Sequence, residues 1–350
     1  MAVTPPRPAR VRLGDLSVGF IDSLAAALRE HAQDPQPLLL QYGLDARRRG
    51  EARARLSIPR YMRLGHAAIE LTGDESLGLA MGRHSRLGQA GLAGVTAAQA
   101  PTLGEAARTL TRFEPLYAHN YRGQSSFQED AEGAWLRFYS ISPYNRYNRF
   151  VVDSVLAGWI AQLGALVGHP LPVERVDIEF EAPVYAERYA DAFGCPVEFG
   201  ASGNQVRLSA ETLALPCPGH CPSTWNQLRD LCERELDQLT RTRSLRERVT
   251  QLLGPLLHGR EPALEDIAAR LHLPAWTLRR KLAEEGSSFR TLLADTRHDL
   301  AISYIRDTDL AFGEIAYLLG FASAEAFQRA FKRWSGATPG EFRRAQRQAG

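Results

Sequence analysis

The sequence predicts an α+β N-terminal domain followed by an all-α C-terminal domain with two helix-turn-helix motifs joined by a long helix. Three observations predict it. Residues 173–180 (V-E-R-V-D-I-E-F) alternate strictly, as a half-buried strand does. From Ser244 onward every segment has helical periodicity. The last hundred residues contain an internal repeat at an offset of 48 to 49.

Taken in order, residues 1–15 hold prolines and arginines but no apolar run, so they read as a disordered lead and not as a secretion signal. Leu16, Phe20, Leu24 and Leu28 are spaced by four and predict a helix over 16–29. Further helices are expected over 38–42, stopped at Gly43, over 59–72 and over 102–117. Residues 121–128 and 134–141 alternate as paired strands around turn signals at 129–130 and 132–133. Residues 151–167 form a strongly apolar helix closed by Gly168 and Pro170. Short strands are expected at 193–199 and 205–208. The first domain thus spans 16–215. A connector and helix follow at 216–243, and the helical domain occupies 244–350. Leu228, Leu231, Cys232, Leu236 and Leu239 stripe the connector helix, a packing surface either inside the domain or between subunits.

Composition narrows the function. A hydrophobic fraction of 44% and a charged fraction of 23% are those of a globular protein. No run approaches eighteen consecutive apolar residues, which argues against a membrane span and for a cytoplasmic location. The net charge of +2 is unevenly spread: residues 241–350 carry 18 basic against 13 acidic side chains, and the rest is mildly acidic. A basic tail suits nucleic acid. No Walker A loop, G-x-S-x-G elbow or H-E-x-x-H pair occurs, and the glycines at 88–94 have the wrong spacing for a dinucleotide fingerprint. The chain therefore reads as no enzyme, with no cofactor.

The repeat carries the chemistry. Asp266-Ile267-Ala268-Ala269-Arg270-Leu271-His272-Leu273 aligns with Glu314-Ile315-Ala316-Tyr317-Leu318-Leu319-Gly320-Phe321, and Leu278-Arg279-Arg280-Lys281-Leu282 with Phe327-Gln328-Arg329-Ala330-Phe331. Each unit is a short helix, a tight turn and a second helix, with Ala268 or Ala316 letting the two helices cross closely. Ser323 is a candidate N-cap, Gly286 and Gly336 fall at C-termini, and Thr338-Pro339-Gly340-Glu341 is a capping box. Residues 289–307 make a rod of roughly 28 Å, fit to hold two recognition helices about one DNA turn apart. Trp276, Arg279 and Arg280 project from the first recognition helix; Glu325, Gln328, Arg329 and Lys332 project from the second. Arginine bonds guanine O6 and N7, glutamine reads adenine, and an indole presses on a thymine methyl, so the expected partner is double-stranded DNA.

The stretch from about 244 to 344 resembles the DNA-binding domain of AraC/XylS regulators. The most specific phrases are Ile315-Ala316 through Gly320-Phe321, Phe327-Gln328-Arg329-Ala330-Phe331-Lys332, and Gly336-Ala337-Thr338-Pro339-Gly340-Glu341-Phe342-Arg343. The resemblance implies base contacts at Trp276, Arg279 and Arg280, and places Ala324, Glu325, Gln328 and Arg329 at the second groove. Pro274 departs from the pattern, where a serine cap is common. The front half, about 24–209, resembles more loosely the arabinose-binding-like domain of ornithine- and arginine-responsive members. The matching phrases are Gly94-Val95, Pro101-Thr102-Leu103-Gly104-Glu105-Ala106 and Phe193-Gly194-Cys195-Pro196-Val197-Glu198-Phe199-Gly200. This implies a small-molecule effector and dimerisation, hence a homodimeric regulator, an activator that engages RNA polymerase.

For the effector, the doubled Tyr144-Asn145-Arg146-Tyr147-Asn148-Arg149 ahead of the apolar helix offers arginines to clamp a carboxylate and tyrosines to wall it. The same pattern also describes a polar helix start with tyrosines packed on the surface. Tyr117, His119 and Tyr121 are secondary candidates. Cys217, His220, Cys221 and Cys232 leave open a metal or redox sensor, although their spacing is not that of a recognised zinc site. A front half that serves only as an oligomerisation or docking module is the other alternative.

Overall fold

Apolar side chains on every side make Asn148–Val167 a helix buried nearly all round, with Phe150, Val152, Leu156, Trp159, Ile160 and Leu163 enclosed. It is long and apolar enough to cross a membrane by length and composition alone, and its burial makes it the core helix of the N-terminal unit. The computed structural model describes residues 14–51, 54–120, 124–140, 144, 147–241, 244–257 and 259–348. They fall into two compact units, Gly14–Thr242 and Arg243–Gly350.

The N-terminal unit is α+β. Strands β1 (Gly14–Ser17), β2 (Arg55–Ser57) and β3 (Ala118–Asn120) form an antiparallel sheet in the order β2-β1-β3. Strands β4 (Ser126–Glu129), β5 (Gly133–Phe138), β6 (Arg175–Ile178), β7 (Val197–Phe199) and β8 (Asn204–Ser209) form a second, in the order β4-β5-β8-β6-β7. Only β6 and β7 run parallel, joined through the helix Glu187–Phe193. The register sets Ala134 opposite Leu208, and Leu136 and Val176 opposite Val206. One face is therefore apolar and joins the core helix in a single cluster. The other face is polar: Trp135 lies between the guanidinium groups of Arg175 and Arg207, 5.2 and 5.4 Å from its ring centroid. The helix Leu77–Arg83 packs hard against the core helix, where a Cβ at Gly82 would stand 2.2 Å from that of Ala157.

Several details differ from expectation: the helix expected over 102–117 is interrupted at Phe113, and among the described residues the strand expected over 121–128 begins at Ser126. Leu16 lies in β1, paired with Leu56, and a 3-10 turn at Val18–Phe20 leads into an α-helix from Ile21, because strand pairing on both sides outweighs its place in a period-four stripe. Phe193 ends a helix instead of starting a strand, with Gly194 at φ 67° closing it. The core helix starts three residues early, so Arg149 sits in its first turn. The connector holds the helix Pro222–Arg241, whose opening proline suits a first turn that needs no donor.

The C-terminal unit is wholly helical among its described residues: Leu245–Leu256, Leu264–Arg270, Ala275–Glu284, Phe289–Asp307, Phe312–Leu318, Ala324–Ser335 and Pro339–Gln348. Ser244 caps the first by accepting from the Glu247 amide while Glu247 accepts from its own, a reciprocal capping box. Leu253, Leu257, Ile267, Leu278, Leu282 and Leu300 are buried, as are Ile315, Leu319, Phe327 and Phe331.

Candidate nucleic-acid interface

Two short helices, Leu264–Arg270 and Phe312–Leu318, each turn into a longer one, Ala275–Glu284 and Ala324–Ser335. The two turns match bond for bond. The His272 amide donates to Ala269 and the Leu273 amide to Ala268; 48 residues on, Gly320 donates to Tyr317 and Phe321 to Ala316. Each repeat is thus a helix-turn-helix whose turn begins with the same backbone, the second carrying one more residue before its recognition helix.

The second recognition helix is capped at both ends. Ser323 accepts from the Ala326 amide, and Gly336 closes the helix at φ 75°. Phe327, Ala330 and Phe331 face inward, while Glu325, Gln328, Arg329 and Lys332 are exposed and Ala324 is half-buried at the first turn. The Ser323 hydroxyl, the helix backbone and the charge of Arg329 hold the Glu325 carboxyl below the usual carboxylate range. Arg329 makes no ion pair among the described residues and is available to a ligand.

In the first recognition helix Leu278 and Leu282 are buried, and Trp276 is 69% exposed beside exposed Arg279 and Arg280. An indole that open on a rigid helix is an unusual cost for a folded surface and suits a binding face. Pro274 occupies the N-cap without a side-chain hydrogen bond, so this helix lacks the serine cap of the second. Arg280 is paired with Glu284 one turn on, and any DNA contact must exchange that partner. The Gly286 and Ser287 amides close the helix on the carbonyls of Ala283 and Leu282.

The effector candidates lie in the N-terminal unit. Tyr144 donates to the Glu179 carboxylate and accepts from the buried Asn204 amide. Arg149 is half-buried, its guanidinium 5.7 Å from the Phe180 ring centroid and its buried Nε without a hydrogen-bond partner among the described residues. Tyr147 is buried, edge-on to His66 at 4.7 Å. Asn145, Arg146 and Tyr121 lie outside the described residues. Tyr117 is buried with its hydroxyl on the Leu110 carbonyl, and His119 is in β3. Sequence reasoning missed Asp153, one helical turn beyond Arg149. It is fully buried and accepts from the hydroxyls of Tyr189 at 2.6 Å and Tyr185 at 3.0 Å. Its only signal was a lone carboxylate in an apolar helix.

The four thiol and imidazole candidates do not converge. Cys217 is buried, His220 bonds the Gln99 carbonyl, and Cys232 meets the Thr96 hydroxyl at 3.2 Å. Cys221 sits before the helix Pro222–Arg241, where the hydroxyl and amide of Thr224 hold its thiol down at about 7. Among the described residues no group of three or more His, Cys, Asp or Glu side chains is placed to hold a metal ion.

Comparison with known proteins agrees with both units. Residues 33–217 match the family model described as the arabinose-binding domain of AraC transcription regulator, N-terminal, and residues 267–345 match a helix-turn-helix domain. The ornithine utilization regulator of Pseudomonas aeruginosa is 31% identical over 291 residues, covering 83% of this chain and 85% of that one. The HTH-type transcriptional regulator VirS of Mycobacterium tuberculosis is 26% identical over 324 residues, 90% of this chain and 92% of its own. The crystal structure of the transcriptional regulator CdpR from P. aeruginosa covers 93% of this chain and 98% of its own at 23% identity, with a TM-score of 0.45. With over half its length under one family model and a second over its helix-turn-helix repeats, the chain belongs to the AraC family of transcription regulators, DNA-binding proteins and not enzymes.

Proposed function

We propose that the chain is an effector-controlled activator that acts in the cytoplasm as a homodimer and engages RNA polymerase at its promoters. Base edges are read by Trp276, Arg279 and Arg280 from one recognition helix and by Ala324, Glu325, Gln328 and Arg329 from the other. Lys332 and backbone amides hold phosphates. The observation that carries this reading is the exposure of basic side chains on the second helix of two repeats whose turns begin with the same backbone hydrogen bonds. Domain limits at 16–215, 216–243 and 244–350 follow from the same reading.

The effector is assigned to the start of the core helix, at Tyr144, Asn145, Arg146, Tyr147 and Arg149. Support comes from the unpaired Nε of Arg149 and the tyrosine-lined polar surroundings of Tyr144. A guanidinium there suits a carboxylate-bearing metabolite, and the name of the 31% identical relative makes ornithine and other basic amino acids the first to try.

The test is thermal melting of the full chain against amino acids, polyamines, fatty acids and sugar acids. A ligand at one hundred times its Kd adds about 2.7 kcal/mol to the unit it binds. A reproducible shift that disappears in Arg149→Met supports the assignment. No shift with any class moves the reading to an oligomerisation or docking module and leaves the DNA-binding family unchanged.

A further inference from the structure

Consecutive residues of the helix Phe289–Asp307 grip both ends of the second recognition helix. Arg297, only 7% exposed, donates from Nε to the Leu319 carbonyl at 2.8 Å and from Nη2 to the Gly320 carbonyl at 2.7 Å. Both carbonyls belong to the turn just before the cap Ser323. His298 meets the hydroxyl of Ser335, the last residue of that helix, through Nε2 at 3.0 Å. Four side chains close the grip into a ring. Arg297 lies 4.5 Å from the Phe321 centroid, Phe321 is 6.0 Å from Trp334, and Trp334 is 5.5 Å from His298.

The grip extends to the first repeat. The third branch of Arg297, Nη1, pairs at 3.0 Å with Glu261, in the segment that leads into the first helix-turn-helix. The Gly259 amide donates to Tyr317 of the second at 3.1 Å. A planar fork with five donors meets three acceptors from two repeats, which a lysine in its place could not do. Neither Arg297 nor His298 lies on a recognition helix, so neither is placed to read a base.

We propose that Arg297 and His298 are positioning residues that fix the second recognition helix relative to the first, so that both parts of the DNA site are read at one spacing. The proposal rests on the reading that both recognition helices contact bases. Without the grip the second helix keeps its base-reading side chains but loses its fixed orientation. Discrimination at its half of the site then falls, and the permitted spacing widens.

The experiment selects bound duplexes from a pool of about 30 random base pairs, room for two half-sites one helical turn apart. The full chain is compared with Arg297→Met, Glu261→Gln, His298→Phe and Ser335→Ala. Wild type is expected to select a two-part motif at one spacing. Each variant is expected to keep the part shared with a Trp276→Ala-sensitive half, to lose about tenfold in discrimination at the other, and to accept a shift of at least a base pair between them. Equal loss in both halves at unchanged spacing overturns the proposal, because the grip then serves only stability. Unchanged motifs overturn it too. If Arg297→Met does not fold, Glu261→Gln and Ser335→Ala decide alone, since the first removes the charge that Arg297 pairs with and the second the partner of His298, and neither leaves a buried guanidinium position empty. A wild-type pool with a single half-motif defeats the two-helix reading first, and the role of the grip with it.

Discussion

His272 and Gly320 hold the same place in the two turns, and both have left-handed backbone, at φ 52° and 67°. Glycine adopts this conformation freely, whereas an L side chain is strained there by about 1–2 kcal/mol. The second turn has no choice: a Cβ at Gly320 would lie 2.3 Å from the Arg260 carbonyl oxygen. The first turn is exposed and accepts histidine. His272→Gly is therefore expected to stabilise the first repeat by about 0.5 kcal/mol, the relieved strain exceeding the added freedom of the unfolded chain. Gly320→Ala should cost about 2–4 kcal/mol. Hydrogen exchange of peptides across each turn checks both, and equal effects of the two substitutions would refute the contrast.

Arg280 is paired to Glu284, both side chains more than half exposed. Such a pair contributes little to stability. Its carboxylate also faces whatever the helix faces. Glu284→Gln should therefore tighten binding to any duplex by roughly two- to fivefold at low salt, the gain shrinking as salt rises. Fluorescence anisotropy at two ionic strengths reads this out. Weaker or unchanged binding would place Glu284 and Arg280 away from the duplex.

Arg329 and Lys332 are separated by three positions on one exposed face, yet different losses are expected from them. Arg329→Ala should weaken specific binding by about 1–3 kcal/mol and leave random-sequence binding nearly unchanged. Lys332→Ala should weaken both alike and reduce the salt slope by about one. Equal loss on both kinds of DNA for Arg329→Ala would make it a phosphate contact.

The helical domain was legible because its information is local. Caps at Ser323 and Thr338, the stop at Gly336 and the apolar stripe of each short helix are set within a few residues. The repeat then doubled every signal. The N-terminal unit hid more, because its strands are three to six residues long and take their identity from partners far along the chain. Leu16 is a strand residue only because residues 55–57 and 118–120 flank it. Arg297 was legible as a helix residue and silent as a grip, since its acceptors are backbone carbonyls that carry no sequence signature. The same holds for Asp153, whose two tyrosine partners arrive from 32 and 36 residues away.

Asp153 makes the stability of the N-terminal unit depend on pH. Burial in the core helix pushes its carboxyl up to about 7, against the opposing hydrogen bonds from Tyr189 and Tyr185 and the charge of Arg149. An unfolded aspartate titrates near 3.9. The folded state therefore holds the proton more tightly. Its contribution is complete below about pH 4 and is lost as pH rises through the folded value near 7, with a slope of up to about 1.4 kcal/mol per pH unit in between. Glu114, half-buried and bonded to Ser125, is raised to about 7 by desolvation and adds the same sign. Asp153→Asn keeps an acceptor for the two tyrosines and removes one of the two titrations. Urea unfolding at pH 5, 5.5 and 6, below the range in which the raised His31 imidazole titrates, should show stability falling with pH in the wild-type unit and falling about half as steeply in the variant. An unchanged slope would mean that Asp153 ionises freely in the fold, and that its two tyrosines and Arg149 outweigh its burial.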